Sequence, residues 1–288
     1  MRDTYQINEL CDALNVSTSG FYAASDRPPC ARALGNRLLL DQMKSIHSHR
    51  HTRCYGSPRM TRELRNSGMP CSVNRVARIM KHNDLKAQRK KAFRPKTTCS
   101  DPNAKAAPNH LADCPPASVP GKLLVSDITY IRTREGWLYL AVVIDLFSRR
   151  VLGWKVSDSM TVDLVLNALR NASDSGTPVA DAVFHSDRGS QYSASDTRKL
   201  LKRLHLTPSM SAKGNCYDNA FAESFFASLK KEVLPTSEVF ESRHAAATAV
   251  FDYIETFYNK CRLHSSLDYQ SPEQFLNQYF QTLNQSLN

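Results

Sequence analysis

Apolar residues recur along this chain with a helical period at first and a strand period later, and the change comes after about residue 120. Near the start, Ile7, Leu10 and Leu14 share one helical face. Asn15-Val16-Ser17 interrupts that pattern before a second short helix. Two short helices around a tight turn read as a helix-turn-helix, and equally as an ordinary helical hairpin. Between about residues 36 and 84 three further amphipathic helices are predicted, over 38–47, 59–66 and 72–82. Ser72 is the N-cap of the last, with Val73, Val76, Ile79 and Met80 lining its inner face. Arg75, Arg78 and Lys81 leave the opposite side, which suits a face that meets phosphates or a plainly solvated one.

Residues 87–120 show neither period and carry Pro95, Pro102, Pro108, Pro115, Pro116 and Pro120. Within them RKKAFRPK sets Arg89, Lys90, Lys91, Arg94 and Lys96 around one Phe, a linker suited to tracking a nucleic-acid backbone. Beyond it, residues 123–131, 138–145 and 151–156 read as three consecutive strands. Helix (161–172), strand (182–186), helix (195–204), strand (207–210), helix (219–233) and a long helix (243–260) follow. Strands in succession and then alternating with helices imply an α/β fold, a mixed five-stranded sheet flanked by helices behind a small all-α region.

Composition sharpens this picture. Residues 1–110 carry a net charge of +12 and the remainder −1, so the excess positive charge sits in the helical region and linker. A basic front on a neutral body points to a polyanionic partner, most simply nucleic acid, with a solubilising surface as the bland reading. The longest apolar run, residues 138–147, contains Asp145 and is too short for a membrane span; MRDTYQINEL has no secretory core. A cytoplasmic protein without a membrane partner is expected, its eight cysteines free thiols. His47, His49, His51 and Cys54 are zinc-ligand types, but no second ligand pair follows at short spacing, and a polar helix end is the better reading.

Three acids stand out by placement. Asp127 lies inside an apolar strand (VSDITYI), Asp187 ends the fourth strand (AVFHSDRG), and Glu223 sits on a helix with 35 residues between it and Asp187. Each alone reads readily as a turn or cap residue. Together, a carboxylate in an apolar strand and two others converging on it call for a compensating cation. Hard carboxylate oxygens favour Mg²⁺ or Mn²⁺, and two such ions suit attack on a phosphodiester.

The spacing matches the D-D-(35)-E triad of the RNase H-like transposases and integrases. DITYIRTREGWLYLAVVIDLFSRRVLGW, HSDRGSQY, SMSAKGNCYDNAFAESFFASLKKE and YNKCRLHSSLDYQSPEQF together resemble the second-frame (OrfB) transposase of the IS-three family of bacterial insertion sequences. YGSPRMTRELRNSGMPCSVNRVARIMK is similar to that family's helical DNA-binding region. The resemblance implies that Asp127, Asp187 and Glu223 ligate two Mg²⁺ or Mn²⁺ ions, and that Lys230, two turns beyond Glu223, reaches a DNA phosphate. Ser211, Lys213, Gly214 and Asn215 would guide the strand, and Asn219 would orient Glu223. Asp145 is expected to bond the turn after the second strand, while Arg262 and His264 would close the site or hold DNA. Leu124 stands where the family commonly has Trp, so weaker linker packing is expected.

The implied organisation is a helical DNA-binding region (1–86), a basic Pro-rich linker (87–120), an RNase H-like catalytic core (121–235) and a helical extension (236–288). The implied activity is 3′-end cleavage and strand transfer on terminal inverted repeats and target DNA. An upstream first-frame (OrfA) protein, joined by frameshifting, and a homo-oligomer on nucleoid DNA are the implied partners. A DNA-binding repressor lacking catalysis and a nuclease of the same fold are the competing readings.

Overall fold

The computed structural model describes residues 5–87, 107–111, 114–211, 220–235 and 237–287. Two short helices come first, α1 (Ile7–Ala13) and α2 (Thr18–Asp26), joined through Asn15 at φ 54° and capped by Ser17, whose hydroxyl accepts the Gly20 N–H at 3.0 Å. The expected face of α1 is only partly formed. Leu14 follows the end of the helix and is 73% exposed, because two helices this short have little to bury it against.

Helices α3 (Ala31–Ser48), α4 (Ser57–Asn66) and α5 (Val73–His82) form a bundle around Leu39, Met43, Met60, Leu64, Val76, Ile79 and Met80. Helix α3 begins a turn or more before the predicted start. Pro58 stands in the first turn of α4, where the missing N–H costs nothing. Ser72 caps α5 by accepting the Arg75 N–H at 3.3 Å. Val73, expected on the inner face, is exposed in the first turn. A 3₁₀ turn (Thr52–Cys54) links α3 to α4, and Cys54 and Tyr55 are buried in the core of the following region.

Five strands follow: β1 (Leu123–Thr133), β2 (Gly136–Asp145), β3 (Val151–Ser157), β4 (Val183–Ser186) and β5 (Thr207–Met210). They lie in the order β3-β2-β1-β4-β5, the first three antiparallel and β1, β4 and β5 parallel, the mixed sheet that was expected. Alternation along β1 and β2 divides the core. Leu124, Ala141 and Val143 face α6 (Val162–Ser173), α7 (Ser190–Ser193) and α8 (Ser195–Arg203). Val125, Ile131, Leu140, Val142 and Ile144 face α9 (Ala220–Val233) and α10 (Arg243–Phe251). Gly153 lets α6 press onto β3: a Cβ there would lie 2.3 Å from both the Ala168 carbonyl and the Ala172 nitrogen.

The long helix expected over 243–260 is instead α10 followed by a π-helical stretch, Asp252–Tyr258. Tyr253, Ile254, Phe257 and Tyr258 are all buried along it. Helix α11 (Pro272–Leu287) closes the described chain. Asp145 bonds its turn as expected, accepting the Gly121 and Ser148 N–H groups at 2.9 Å and the Ser148 hydroxyl at 2.6 Å. No helix among the described residues is long and apolar enough to cross a membrane.

Candidate active site

The parallel register of β1 and β4 sets Val125 opposite His185. Two residues further along β1 stands Asp127, and Asp187 follows the last residue of β4, so the two neighbouring strands bring these carboxylates within electrostatic reach of one another. Strand β1 runs on to Thr133 whereas β4 stops at Ser186, which leaves Asp187 at the carboxyl edge of the sheet where the chain turns away. Asp187 Oδ1 accepts the Gly189 N–H at 2.9 Å, and a Cβ on Gly189 would come within 3.0 Å of that oxygen.

Asp127 is half-buried and its carboxylate accepts the Ile128 N–H at 2.8 Å. Burial first, then the charges of Asp187 and Glu223, push its carboxyl up to about 8, while the Ile128 bond and Lys230 pull it down. Beneath the pair, the fully buried Tyr192 shares a 2.9 Å hydrogen bond with Ser126. Burial and the two nearby aspartates keep its phenol far above the ordinary range, so it remains a neutral hydrogen-bonding group. Sequence reasoning passed over Tyr192, although it stands inside HSDRGSQY, five positions after Asp187.

Helix α9 brings the third acid. Ala222, Phe225, Phe226, Leu229 and Val233 are buried at helical spacing, which fixes the helix against the sheet. Glu223 lies in the first turn and Lys230 in the last, each at the end where the helix dipole favours its charge. Glu223 is exposed; Lys230 is half-buried with Nζ 4.8 Å from the centre of the Tyr130 ring. Burial lowers the Lys230 ammonium's hold on its proton, and Asp127 restores part of it. Asp127 and Asp187 are thus brought together, with Glu223 within electrostatic reach of Asp127. Among the described residues no three His, Cys, Asp or Glu side chains are gathered closely enough to hold a metal ion.

The remaining expected contacts divide. Arg78 is exposed on α5, but Arg75 is half-buried and donates from Nε to Asn36 Oδ1 at 2.9 Å, tying α5 to α3. Arg89, Lys90, Lys91, Lys213, Asn215 and Asn219 lie outside the described residues. Ser211 does not face a DNA channel. It is buried, its N–H donates to the Ser186 carbonyl at 3.1 Å, and its hydroxyl bonds His185 Nε2, because it extends the β5 edge of the sheet. The His-rich turn bonds the C-terminal helices: His51 Nε2 lies 3.0 Å from Asp252 Oδ2, and its ring stacks on Phe257.

Arg262 has a partner that sequence spacing could not supply. Its Nε and Nη2 donate to the two oxygens of Glu232 at 2.8 and 2.9 Å, and Nη2 also reaches Ser228 at 2.9 Å. Tyr253 donates to the same carboxylate at 2.8 Å. Residues 228 and 232 belong to α9, so this buried pair anchors the helix that carries Glu223.

A family model described as "Integrase core domain" matches residues 117–216, a second of the same description matches 223–280, and one described as "HTH-like domain" matches 34–93. The chain is 41% identical over 274 residues to the Transposase InsF for insertion sequence IS3A of Escherichia coli strain K12, covering 95% of this chain and 94% of that protein. It is 39% identical over 272 residues to the Insertion element IS600 uncharacterized 31 kDa protein of Shigella sonnei, covering 94% and 99%. A solved HTLV-2 integrase catalytic core domain in complex with magnesium is 14% identical, with a TM-score of 0.41, over 55% of this chain and 97% of that one.

Proposed function

Given that the chain belongs to the transposases of the IS3 insertion-sequence family, an RNase H-like integrase core behind an HTH-like region, we propose that Asp127, Asp187 and Glu223 are its catalytic and metal-binding carboxylates. As a transposase the protein acts on DNA, cleaving phosphodiesters and joining the freed 3′ ends to new ones. The observation that carries the assignment is the pair of aspartates within electrostatic reach, one on β1 and one just past the end of β4, with Glu223 acting on Asp127 from α9.

The donor set fits a divalent ion. An all-oxygen site suits Mg²⁺ or Mn²⁺. Burial and the charges of Asp187 and Glu223 push the Asp127 carboxyl up to about 8, a like-charge strain that a bound cation would relieve. Asp127, Asp187 and Glu223 would hold such ions, which would supply Lewis acidity for the phosphodiester displacement. The chain's own groups do the rest. Asp127 and Asp187 supply ligands from a rigid sheet, and Glu223 completes the set from the first turn of α9. Lys230 holds a DNA phosphate beside them, and Tyr192 fixes the strand beneath Asp127 through Ser126.

Residues 1–86 serve as the DNA-binding region for the terminal inverted repeats, with Arg75 and Arg78, joined by Arg89, Lys90 and Lys91 of the linker, as phosphate contacts. Residues 87–120 are the linker, 121–235 the catalytic core and 236–288 its helical extension. Lys213 and Asn215 guide the strand and Asn219 orients Glu223. A first-frame partner joined by frameshifting, and a homo-oligomer assembled on DNA in the cytoplasm, complete the reading. Glu223→Gln tests the site: cleavage and joining should vanish in Mg²⁺ or Mn²⁺ while binding to the element's ends persists. Unchanged turnover would refute the assignment.

A further inference from the structure

Outside the carboxylate site three arginines meet around one imidazole. Arg262 is fully engaged with Glu232. Arg59 lies 3.9 Å from the same carboxylate and is 25% exposed. Arg149, in the turn after β2 at φ 62°, has no ion pair among the described residues, and its buried Nη1 finds no hydrogen-bond partner there. Its guanidinium instead lies 4.1 Å from the centre of the Phe221 ring, two residues before Glu223 and 42% exposed.

His264 stands among them. Arg262 Nη1 lies 3.3 Å from His264 Nε2, and an arginine can only donate, so that nitrogen accepts and the ring proton is on Nδ1. Burial, then Arg262, Arg59 and Arg149, pull the imidazole down to about 2. It is therefore neutral; Glu232 answers Arg262 and Arg59, and Asp145 acts on Arg149, so three guanidinium groups face two carboxylates. Like charges collected at a half-buried junction are unfavourable unless an anion completes them.

We propose that Arg59, Arg149 and His264 form a subsite for one phosphodiester group of bound DNA, gripped between the N-terminal helical region and the start of the Glu223 helix. Arg59 comes from α4, Arg149 from the β2–β3 turn and His264 from the C-terminal segment, so a bridging phosphate ties the three to one another. Guanidinium forks match phosphate oxygens in geometry and charge. The exposed Phe221 ring offers an adjoining surface for a base. This inference rests on the DNA-transposase reading.

The test compares the full chain with Arg149→Gln and, independently, Arg59→Gln, on a duplex carrying the element's own end. Losing one phosphate contact should lower the slope of log affinity against log salt by about 0.9. Arg149→Gln should also make binding indifferent to ethylation of one phosphate that matters to the wild type, without lowering Tm. Unchanged slopes in both variants, with wild-type binding intact, overturn the proposal. A fall in Tm with unchanged slope makes Arg149 a packing residue and overturns it too. If inorganic phosphate stabilises the protein while the slopes stay equal, the subsite takes a free anion and the proposal is wrong. Failure of the wild type to bind any duplex refutes the transposase reading instead.

Discussion

Replacing Arg262 with Met should expose how much α9 depends on one buried charge pair. The side chains of Glu232 and Arg262 are 1% and 5% exposed, and the guanidinium makes two short bonds to the carboxylate. Met keeps much of the stem's volume but strands a carboxylate with only Tyr253 and the distant Arg59. Removing one partner of such a pair costs about 3–5 kcal/mol. At roughly 2–4 °C per kcal/mol for a chain of this order of size, Tm should fall by about 10 °C. The pH dependence that Glu232 contributes should reverse as well. In the wild type burial pushes Glu232 up, but Arg262 overrides it and the carboxyl is held below 4.5. That stabilisation is complete above the unfolded value and disappears as pH falls through the folded one. Without Arg262 burial is opposed only by the Tyr253 bond and Arg59, the folded value rises, and stability is lost as pH rises above about 4.5. Thermal unfolding of both proteins between about pH 3 and pH 7 should therefore show the gap in Tm between variant and wild type closing as the pH falls. Adding Glu232→Gln should recover much of the loss. A single variant within 2–3 °C of wild type (about 1 kcal/mol), or a double variant no better than the single, would show that the pair does not hold the helix.

Asp127→Asn should abolish DNA cleavage yet raise stability in chelator at neutral pH. The folded carboxyl titrates at about 8 against 3.8 unfolded, so wild-type stability falls as pH rises through that interval, by up to about 4 kcal/mol at pH 7. Equal Tm values for the two proteins across the interval would show that the aspartate is not strained. Gly153→Ala should loosen α6 from β3 by about 1–3 kcal/mol, since its Cβ meets backbone and not a yielding side-chain tip. A denaturant midpoint unchanged from wild type would contradict that close approach.

The sheet was readable because its strands are apolar on both faces and turn signals bound them. Strand β5 coincides with the expected 207–210, and β1 to β3 differ only at their ends. Asp127 and Asp187 were readable for the same reason, since a charge in such a strand contradicts its surroundings. What escaped depends on distant partners. Residues 253–258 read as ordinary helix because apolar periodicity does not distinguish a π turn from an α turn; Tyr258 there packs edge-on against Phe225 of α9. Arg262 was left open between closing the site and holding DNA, because its carboxylate lies 30 positions earlier. Leu14 and Val73 followed the helical pattern, yet each stands at a helix end with no facing surface. Propensity cannot report that.

Helix α9 divides its labour along its length. Glu223 and Lys230 occupy the face that acts on Asp127, where like charges gather and the native state is destabilised. Ser228 and Glu232 meet Arg262, and the Glu232 carbonyl lies 3.4 Å from His51 Nδ1 in the N-terminal region. A site that concentrates negative charge for metal and phosphate weakens the fold at that point, so stability must come from elsewhere. Here it comes from the other end of the same helix, where Tyr253, Phe257 and Tyr258 surround the buried pair. Nine residues of helix span about 13 Å. A shift of the N-terminal region at Glu232 would therefore reach Glu223 as the movement of one rod.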